Sequence, residues 1–110
     1  MKMIEATVPP FMLDAVRDAL VGEGADGMSV TEVKVLDPHV HIHSYRGTSY
    51  EIPFSPQCRL EIVVEDAQVG RCVEAMRTLM TDRPTALEVI VLPLADGIRI
   101  RTGSHLSRAA

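Results

Sequence analysis

The segment at residues 39–43, HVHIH, places three histidines at alternate positions: His39, His41 and His43. In an extended chain, alternate residues project from one face, with successive histidine backbones about 6.6–7 Å apart. Imidazole is an ordinary ligand for zinc and copper, and its charge changes near neutral pH. The pattern predicts a metal site or a proton-sensitive segment. The competing interpretation is a half-exposed hairpin strand whose two intervening apolar residues pack on the other face.

A second pattern that could bind a ligand is the alternation of Arg99 and Arg101. On a strand, both guanidinium groups would share one face and could clamp phosphate oxygens. The alternative is a pair of solvent-facing arginines on an edge strand. The spacing of these residues does not decide between the two.

Several functional classes are excluded by what the sequence lacks. It contains no nucleophile elbow, no HExxH and no Ser/His/Asp arrangement at motif spacing. The net charge of −4 comes without any basic cluster, which argues against nucleic-acid binding. No segment approaches the roughly 20 apolar residues of a membrane span, and the start has no signal-peptide core. We therefore expect a cytoplasmic, non-enzymatic protein that is not embedded in a membrane.

The chain is expected to form one domain of residues 1–110. Segments with strand periodicity alternate along it with segments of helix periodicity, and these elements must position the residues named above. Shifting the sequence by 56 residues superimposes two βαβ units. We predict strands at 3–8, 28–36, 60–64, 89–94 and 98–102, and helices from 11 to 22–24 and over 69–80. The matched positions include Ile4 with Leu60, Glu5 with Glu61, Val8 with Val64, Leu20 with Met76, and Val33 with Val89. The prediction is an α+β, ferredoxin-like split βαβ fold (βαββαβ).

Two further features bear on assembly and function. The core has no Trp and must be small, so burial shared between subunits would stabilise it. Cys58 and Cys72 lack CxxC spacing and are expected to be buried, reduced thiols. Residues 37–57, between the two units, contain three prolines and no clean periodicity. A long connection of this kind inside a compact domain is usually functional.

Four stretches of the chain together carry a resemblance to a known family. They are 1–20, with MKMIEA and PFMLDAVRDAL; 27–34, GMSVTEVK; 45–50, YRGTSY; and 98–103, IRIRTG. In this order and at these separations they resemble the PII family of signal-transduction (nitrogen regulatory) proteins. The resemblance implies a homotrimer with nucleotide sites between subunits. It also implies a long T-loop, here residues 37–57, whose conformation responds to ATP or ADP and 2-oxoglutarate, and which docks on transporters or enzymes.

The resemblance also assigns roles to single residues. It implies a nucleotide- or anion-binding site and a partner-binding or modified loop tip. The first comprises Ser29, Glu61, Arg99 and Arg101, and the second Tyr45, Arg46 and Tyr50. Tyr50 matches a tyrosine that is a modification site in some members. The alternative is an exposed contact aromatic that is not modified.

The sequence departs from the family pattern at the ligand site. Residues 82–88 contain no glycine and are about three residues shorter than the family's phosphate-binding loop, and Glu88 replaces its lysine. Glycine permits close backbone approach to phosphate, so ATP binding should be weakened. Residues 37–39, DPH, and Gln57 replace the family's glutamine and lysine at the 2-oxoglutarate site. We expect no ordinary 2-oxoglutarate response.

Two functions follow as hypotheses. The first is a trimeric PII-like regulator that senses ADP, ATP or AMP through a reduced site, or a small anion such as bicarbonate. It would control a membrane transporter or regulatory enzyme through residues 37–57. The second is a metal-binding trimer that uses His39, His41 and His43 to bind zinc or copper. The sequence alone does not identify the effector, the partner or the pathway.

Overall fold

The computed structural model describes the backbone of residues 1–25, 27–45, 48–80 and 88–106. Side chains are described for the same residues except 37–45 and 48–53. A 3-10 turn precedes each of the two helices in this part of the chain, at Pro10–Met12 and at Asp66–Gln68. The strands and helices are β1 (Lys2–Val8), α1 (Leu13–Gly22), β2 (Met28–Tyr45), β3 (Thr48–Val64), α2 (Val69–Leu79), β4 (Glu88–Pro93), β5 (Ile98–Arg99) and β6 (Ser104–His105).

The first four strands form one sheet in the order β2-β3-β1-β4, and each neighbouring pair is antiparallel. β1 and β2, which α1 connects, are therefore parallel, and β3 lies between them. In the same way, β3 and β4 are connected by α2 and separated by β1. This is the split βαβ arrangement, and it confirms the predicted α+β, ferredoxin-like fold.

The core lies between one face of the sheet and the two helices. Alternate residues of β1 and β3 point towards the helices, as a strand period of two requires. Each helix supplies an apolar stripe to the same cluster. Five pairs of core positions are related by the shift of 56 residues, and every member is at most 3% exposed. The pairs are Ile4 with Leu60, Ala6 with Ile62, Val8 with Val64, Val16 with Cys72, and Leu20 with Met76.

The described helices leave the other face of the sheet uncovered. Val63 on β3 is 39% exposed and Ile90 on β4 is 50% exposed. Between them, Arg59 forms an ion pair with Glu5 at 3.1 Å. Among the described residues, the face therefore combines apolar side chains with charged ones, and Glu61, opposite Glu5, lies on it as well.

The strands β2 and β3 continue well beyond the sheet. Their pairing runs from Met28 opposite Ile62 to Leu36 opposite Phe54, shifts register, and resumes from His41 opposite Ile52 to Tyr45 opposite Thr48. Much of the 37–57 segment thus has strand backbone. The sequence prediction ended the second strand at Leu36 and started the third at Leu60, so both strands are longer than predicted.

The chain ends differently from the prediction. The predicted strand over 98–102 is wrong, because β5 stops at Arg99 and residues 100–103 form a turn into β6. Gly103 in this turn has φ of 69°, a left-handed conformation that favours glycine. Arg99 and Arg101 therefore do not alternate along one strand. We call β5, the turn and β6 the C-terminal hairpin.

Both cysteines are free and buried, Cys58 on β3 and Cys72 on α2. Burial is the main cause that raises the pKa of the Cys72 thiol, and the nearby Glu23 carboxylate adds to it. These thiols therefore belong to the core. In the described parts of the chain, neither helix has the length and apolar character needed to cross a membrane.

Candidate functional site

Three residues that the sequence predicts to bind a ligand, Ser29, Glu61 and Arg99, line one cleft of about 670 Å³. We call it the Arg99 cleft. Its volume lies within the roughly 300–1,000 Å³ range of small-molecule sites. The other described lining residues are Met1, Gly24, Gly27, Met28, Val63, Val64, Glu65, Gln68 and Leu106. Arg101 is not among the described residues that line it.

The sheet forms one wall of the Arg99 cleft. Ser29 on β2 lies directly opposite Glu61 on β3, so the two side chains share a face. A hydroxyl can donate and accept hydrogen bonds, whereas an ionised carboxylate only accepts. This pair therefore suits a ligand that carries hydroxyl groups, such as a sugar.

The base of the cleft is built where α1 ends. Gly24 has φ of +89°, and its N–H and that of Ala25 bond the carbonyls of Val21 and Leu20 in a helix C-cap. A Cβ at position 24 would lie 3.2 Å from Nε2 of Gln68. Gln68 also accepts the Glu65 N–H at 2.9 Å in a capping box. The left-handed turn after α1 and the capped 3-10 turn before α2 therefore lie next to each other at the base of the cleft.

The first residue of the chain completes this part of the cleft. The Met1 ammonium donates to Oδ1 of Asp66 at 2.7 Å, and the Met1 carbonyl accepts the Leu94 N–H at 3.2 Å. The hydrogen bond from the ammonium is the main cause that lowers the pKa of the Asp66 carboxyl group, and the positive charges of the ammonium and Lys2 add to it. The chain start is thus fixed between the end of β4 and the start of α2.

The C-terminal hairpin supplies the opposite wall. Arg99 on β5 and Leu106, just after β6, both line the cleft. The cleft as a whole thus carries one guanidinium, that of Arg99 on the hairpin, and two carboxylates, Glu61 and Glu65, on the side of the sheet. A guanidinium binds phosphate or carboxylate groups in a bidentate manner. The described cleft therefore offers one cation to an anionic group, and its two carboxylates would repel a highly charged anion.

Sequence reasoning missed Met1, Gln68 and Leu106 as lining residues, because they come together only through the fold. Gly24 was visible as a helix end, since glycine after an apolar helical stripe is a stop signal. Nothing in its sequence context indicated that it would also line a cleft.

A second, smaller cleft of about 390 Å³ lies where β2 and β3 leave the sheet, and Gln57 lines it together with Lys34 and Cys58. The Gln57 amide donates to Oγ of Ser55 at 2.9 Å. By the resemblance in sequence, Gln57 stands where the PII family has a ligand-binding lysine. The structure brings another lysine, Lys34, to the same cleft.

Other predicted residues fall wholly or partly outside the described part of the chain. Arg46 and residues 82–87 are not described, and Glu88 is exposed at the start of β4, opposite Thr7. Tyr45, Tyr50 and the histidines at 39, 41 and 43 have described backbone only, all of it in strands. Among the described side chains, no group of three His, Cys, Asp or Glu could hold a metal. The metal and modification hypotheses stay predictions.

Comparison with known proteins gives consistent matches over almost the whole chain. The family model for nitrogen regulatory protein P-II matches residues 1–104. The chain is 44% identical over 107 residues to the nitrogen regulatory protein P-II of Pasteurella multocida (strain Pm70), with 96% of each chain covered. The same identity and coverage hold for nitrogen regulatory protein P-II 1 of Escherichia coli (strain K12) and for nitrogen regulatory protein P-II of Klebsiella oxytoca.

Proposed function

Because the chain belongs to the P-II family of nitrogen regulatory proteins, whose members are regulators rather than enzymes, we propose that it is a non-enzymatic sensor of an adenine nucleotide. The observation that supports this is the convergence of Ser29, Glu61 and Arg99 on one cleft. Arg99 would bind a phosphate, and Ser29 with Glu61 would bind the sugar hydroxyls. Arg101, in the adjoining turn, would contribute charge from the rim.

The charges of the cleft select among nucleotides. Glu61 and Glu65 repel added phosphates, and residues 82–88 offer neither glycine nor lysine to a phosphate chain. We infer that AMP and ADP bind better than ATP, and that 2-oxoglutarate does not increase ATP binding. A small anion such as bicarbonate at Arg99 is the second ligand to test.

Titration calorimetry with AMP, ADP, ATP and bicarbonate tests this directly. Arg99→Ala should lower affinity for ADP by roughly ten- to a hundredfold, as expected when a charge-assisted contact worth about 1.5–3 kcal/mol is lost. Arg71→Ala is the matched control, because Arg71 is exposed on α2 and is not part of the cleft. Tight ATP binding that 2-oxoglutarate enhances would contradict the proposal.

We propose that the chain acts as a homotrimer. The uncovered face of the sheet, with Val63 and Ile90 exposed, gives each subunit an apolar surface to bury, and trimers are typical of the family. Light scattering should show three chains per particle at micromolar concentration. Ile90→Asp would place a charge on this face and should dissociate the assembly. A stable wild-type monomer would contradict the prediction.

The long β2–β3 hairpin is the element proposed to dock on a partner, a membrane transporter or regulatory enzyme, in the cytoplasm. The free, buried thiols of Cys58 and Cys72 fit a reducing compartment. Affinity capture on the intact protein, repeated with residues 40–52 replaced by a short glycine-serine linker, tests the role of the hairpin. Loss of the same transporter or enzyme from the replaced form would support it.

A second candidate function is metal binding by His39, His41 and His43. The strand backbone at these positions is the extended conformation that the sequence hypothesis requires. Zinc and copper titration of the wild type and of a variant with all three histidines changed to Ala decides it. Because ligation needs neutral imidazole, binding should weaken at acidic pH. An unchanged titration in the triple variant would exclude this site.

A further inference from the structure

The second, smaller cleft, which we call the Lys34 cleft, lies on the helix-facing side of the sheet. Four of its lining residues form two cross-strand pairs of β2 and β3, Glu32 with Cys58 and Lys34 with Pro56. Cys58 is buried in the core beneath the helices, so alternation places all four residues on that side. Gln57 points to the other face, where its amide donates to Oγ of Ser55. The sheet wall of the Arg99 cleft, with Ser29 and Glu61, also belongs to that other face, so the two clefts are separate.

One side of the Lys34 cleft is apolar. Pro56 on β3 and Pro10, at the start of the 3-10 turn before α1, both line it and are both exposed. The apolar strip continues along the same face to Phe54, which is 49% exposed and lies opposite Leu36, 64% exposed. A proline ring has no rotamer freedom to lose when it is covered. An apolar group of a ligand could therefore be buried here at little entropic cost.

The other side of the Lys34 cleft carries two opposite charges, those of Glu32 and Lys34. Among the described residues, neither side chain has a hydrogen-bond or ion-pair partner, and both are exposed. Glu5 and Glu74, in contrast, pair with arginines. Alternate residues of a strand have backbones about 6.6–7 Å apart, so two long side chains can converge on neighbouring groups of one ligand. Their charges sum to zero, which favours a dipolar ligand over an anion.

We propose that the Lys34 cleft binds a free α-amino acid with an apolar side chain. Glu32 would accept hydrogen bonds from the ammonium group, and Lys34 would donate to the carboxylate. The side chain of the amino acid would lie on Pro10 and Pro56. The cleft volume of about 390 Å³ is within the range of small-molecule sites. This site goes beyond the proposed nucleotide function and does not depend on it.

An NMR titration of the intact, isotope-labelled protein with leucine tests the site. Exposed charges contribute little affinity each, so a method that measures weak binding is required. The amides of Lys34 and Cys58 should shift saturably, whereas those of Ser29 and Arg99 should not. The proposal is overturned if leucine, valine and phenylalanine all give no saturable shift, or if the shifts are confined to the Arg99 cleft.

Analogues of leucine test which of its groups the cleft recognises. Leucinamide lacks the carboxylate and isocaproate lacks the ammonium group, so each should bind about two- to fivefold more weakly than leucine, the range expected for an exposed ion pair. Glycine should also bind more weakly, because it has no side chain to bury. N-acetyl-leucinamide has neither charge and resembles leucine within a peptide. If it binds as tightly as leucine, the cleft recognises a peptide segment and the proposal fails.

Variants of the two charged residues assign each contact. Lys34→Gln should remove the difference in affinity between leucine and leucinamide, and Glu32→Gln the difference between leucine and isocaproate. Both side chains are exposed, so the amide spectrum away from the cleft should stay that of the folded wild type. Asp18→Asn, a surface acid on α1, is the charge-matched control and should bind leucine as the wild type does. Unchanged affinities for leucine and its analogues in both cleft variants would refute the assigned contacts.

The Arg99→Ala variant separates this site from the proposed nucleotide site. It should bind leucine as the wild type does, because Arg99 does not belong to the Lys34 cleft. Loss of leucine binding in this variant would show that the amino acid occupies the Arg99 cleft, and the proposal would be wrong. If the wild type binds leucine but no ADP, the proposed nucleotide function fails and the amino-acid site stands.

Discussion

The two βαβ units of this chain bury equivalent core positions, but their equivalent polar residues make different contacts. At the five pairs of core positions related by the shift of 56 residues, both members are buried. Glu5 and Glu61 are also related by this shift, and they lie directly opposite each other on β1 and β3. Glu5 pairs with Arg59, whereas Glu61 lines the Arg99 cleft. Packing is thus repeated, and the site is not.

The ends of the two helices show the same divergence. α1 ends through Gly24 at φ of +89°, where the chain turns into the cleft. The position related to Gly24 after α2 is Met80, at φ of −97° in the right-handed region. The capping residues themselves are alike, since Glu23 at the end of α1 has φ of −95°, so the described difference is the left-handed residue that follows it in the first unit. The turn after α1 therefore lines the cleft, whereas no described residue at the end of α2 does.

The largest expected effect tests the equivalence of the cores. Ile4→Ala and Leu60→Ala should each lower the free energy of unfolding by about 2–5 kcal/mol, because both side chains are fully buried and both changes leave a cavity. Urea unfolding at one fixed protein concentration measures this, since assembly contributes to stability. Val21→Ala, at an exposed position of α1, is the control. A large loss at only one of the two core sites would contradict the equivalence.

The same comparison shows how far the sequence determined the structure. The core and the order of elements followed from periods of 2 and 3.6, and those periods arise from side-chain directions that are local. Ser29 and Glu61 came from a resemblance, and Arg99 from that resemblance and its alternation with Arg101, because nothing local marks a residue as facing a cleft. Met1, Gln68 and Leu106 could not be identified, since each reaches the cleft only through the fold.

Two errors have identifiable physical causes. A hairpin strand at residues 39–43 was one of the two interpretations of the histidine segment, but the full extent of the strands over 37–57 was missed because prolines at 38, 53 and 56 argue against strands. Beyond the sheet, however, β2 and β3 pair only with each other, so each has an open side where a missing N–H breaks no ladder bond. The predicted strand through Arg101 failed because Gly103 reverses the chain, which the alternation of arginines does not reveal.

A second prediction concerns the glycine that distinguishes the helix ends. Gly24→Ala should destabilise the protein by about 1–2 kcal/mol, because an L-residue is disfavoured in the left-handed region, and the new methyl group would press on Gln68. Gly70→Ala is the matched control. It lies inside α2 with open space around its Cα, so the change should stabilise the helix by about 0.5–1 kcal/mol. Thermal unfolding compares the two, and loss of stability in both would show that glycine geometry is not the cause.

A third prediction concerns the two glutamates. Two carboxylates directly opposite on neighbouring strands repel each other, and Arg59 offsets this. Arg59→Gln should therefore destabilise the protein by about 0.5–1 kcal/mol, whereas Glu5→Gln removes both the ion pair and the repulsion and should change stability less.

Affinity for ADP should depend on the carboxylate of Glu61 but not on that of Glu5. Glu61→Gln should strengthen ADP binding measured by calorimetry, because it removes a charge that repels phosphates while its amide oxygen still accepts from the sugar hydroxyls, whereas Glu5→Gln should leave binding unchanged. Equal ADP affinities in the two variants would contradict the prediction that only Glu61, in the second unit, affects the ligand.

The smallest expected effect lies at a contact between the start of the first unit and the 3-10 turn before the helix of the second, the ion pair of Met1 with Asp66. The Met1 ammonium lowers the pKa of Asp66 in the folded protein, so folding favours the ionised carboxylate. The stability this contributes is present above the unfolded-state pKa, near 3.9, and is lost as the pH falls through the lower folded-state pKa. Asp66→Asn should thus be less stable than the wild type at pH 6, and the difference should vanish towards pH 2. Thermal unfolding from pH 2 to 6 measures it, with Asp18→Asn as the control for removing a surface charge. A difference that persists at pH 2 would show that the lost contact is not the ionised pair.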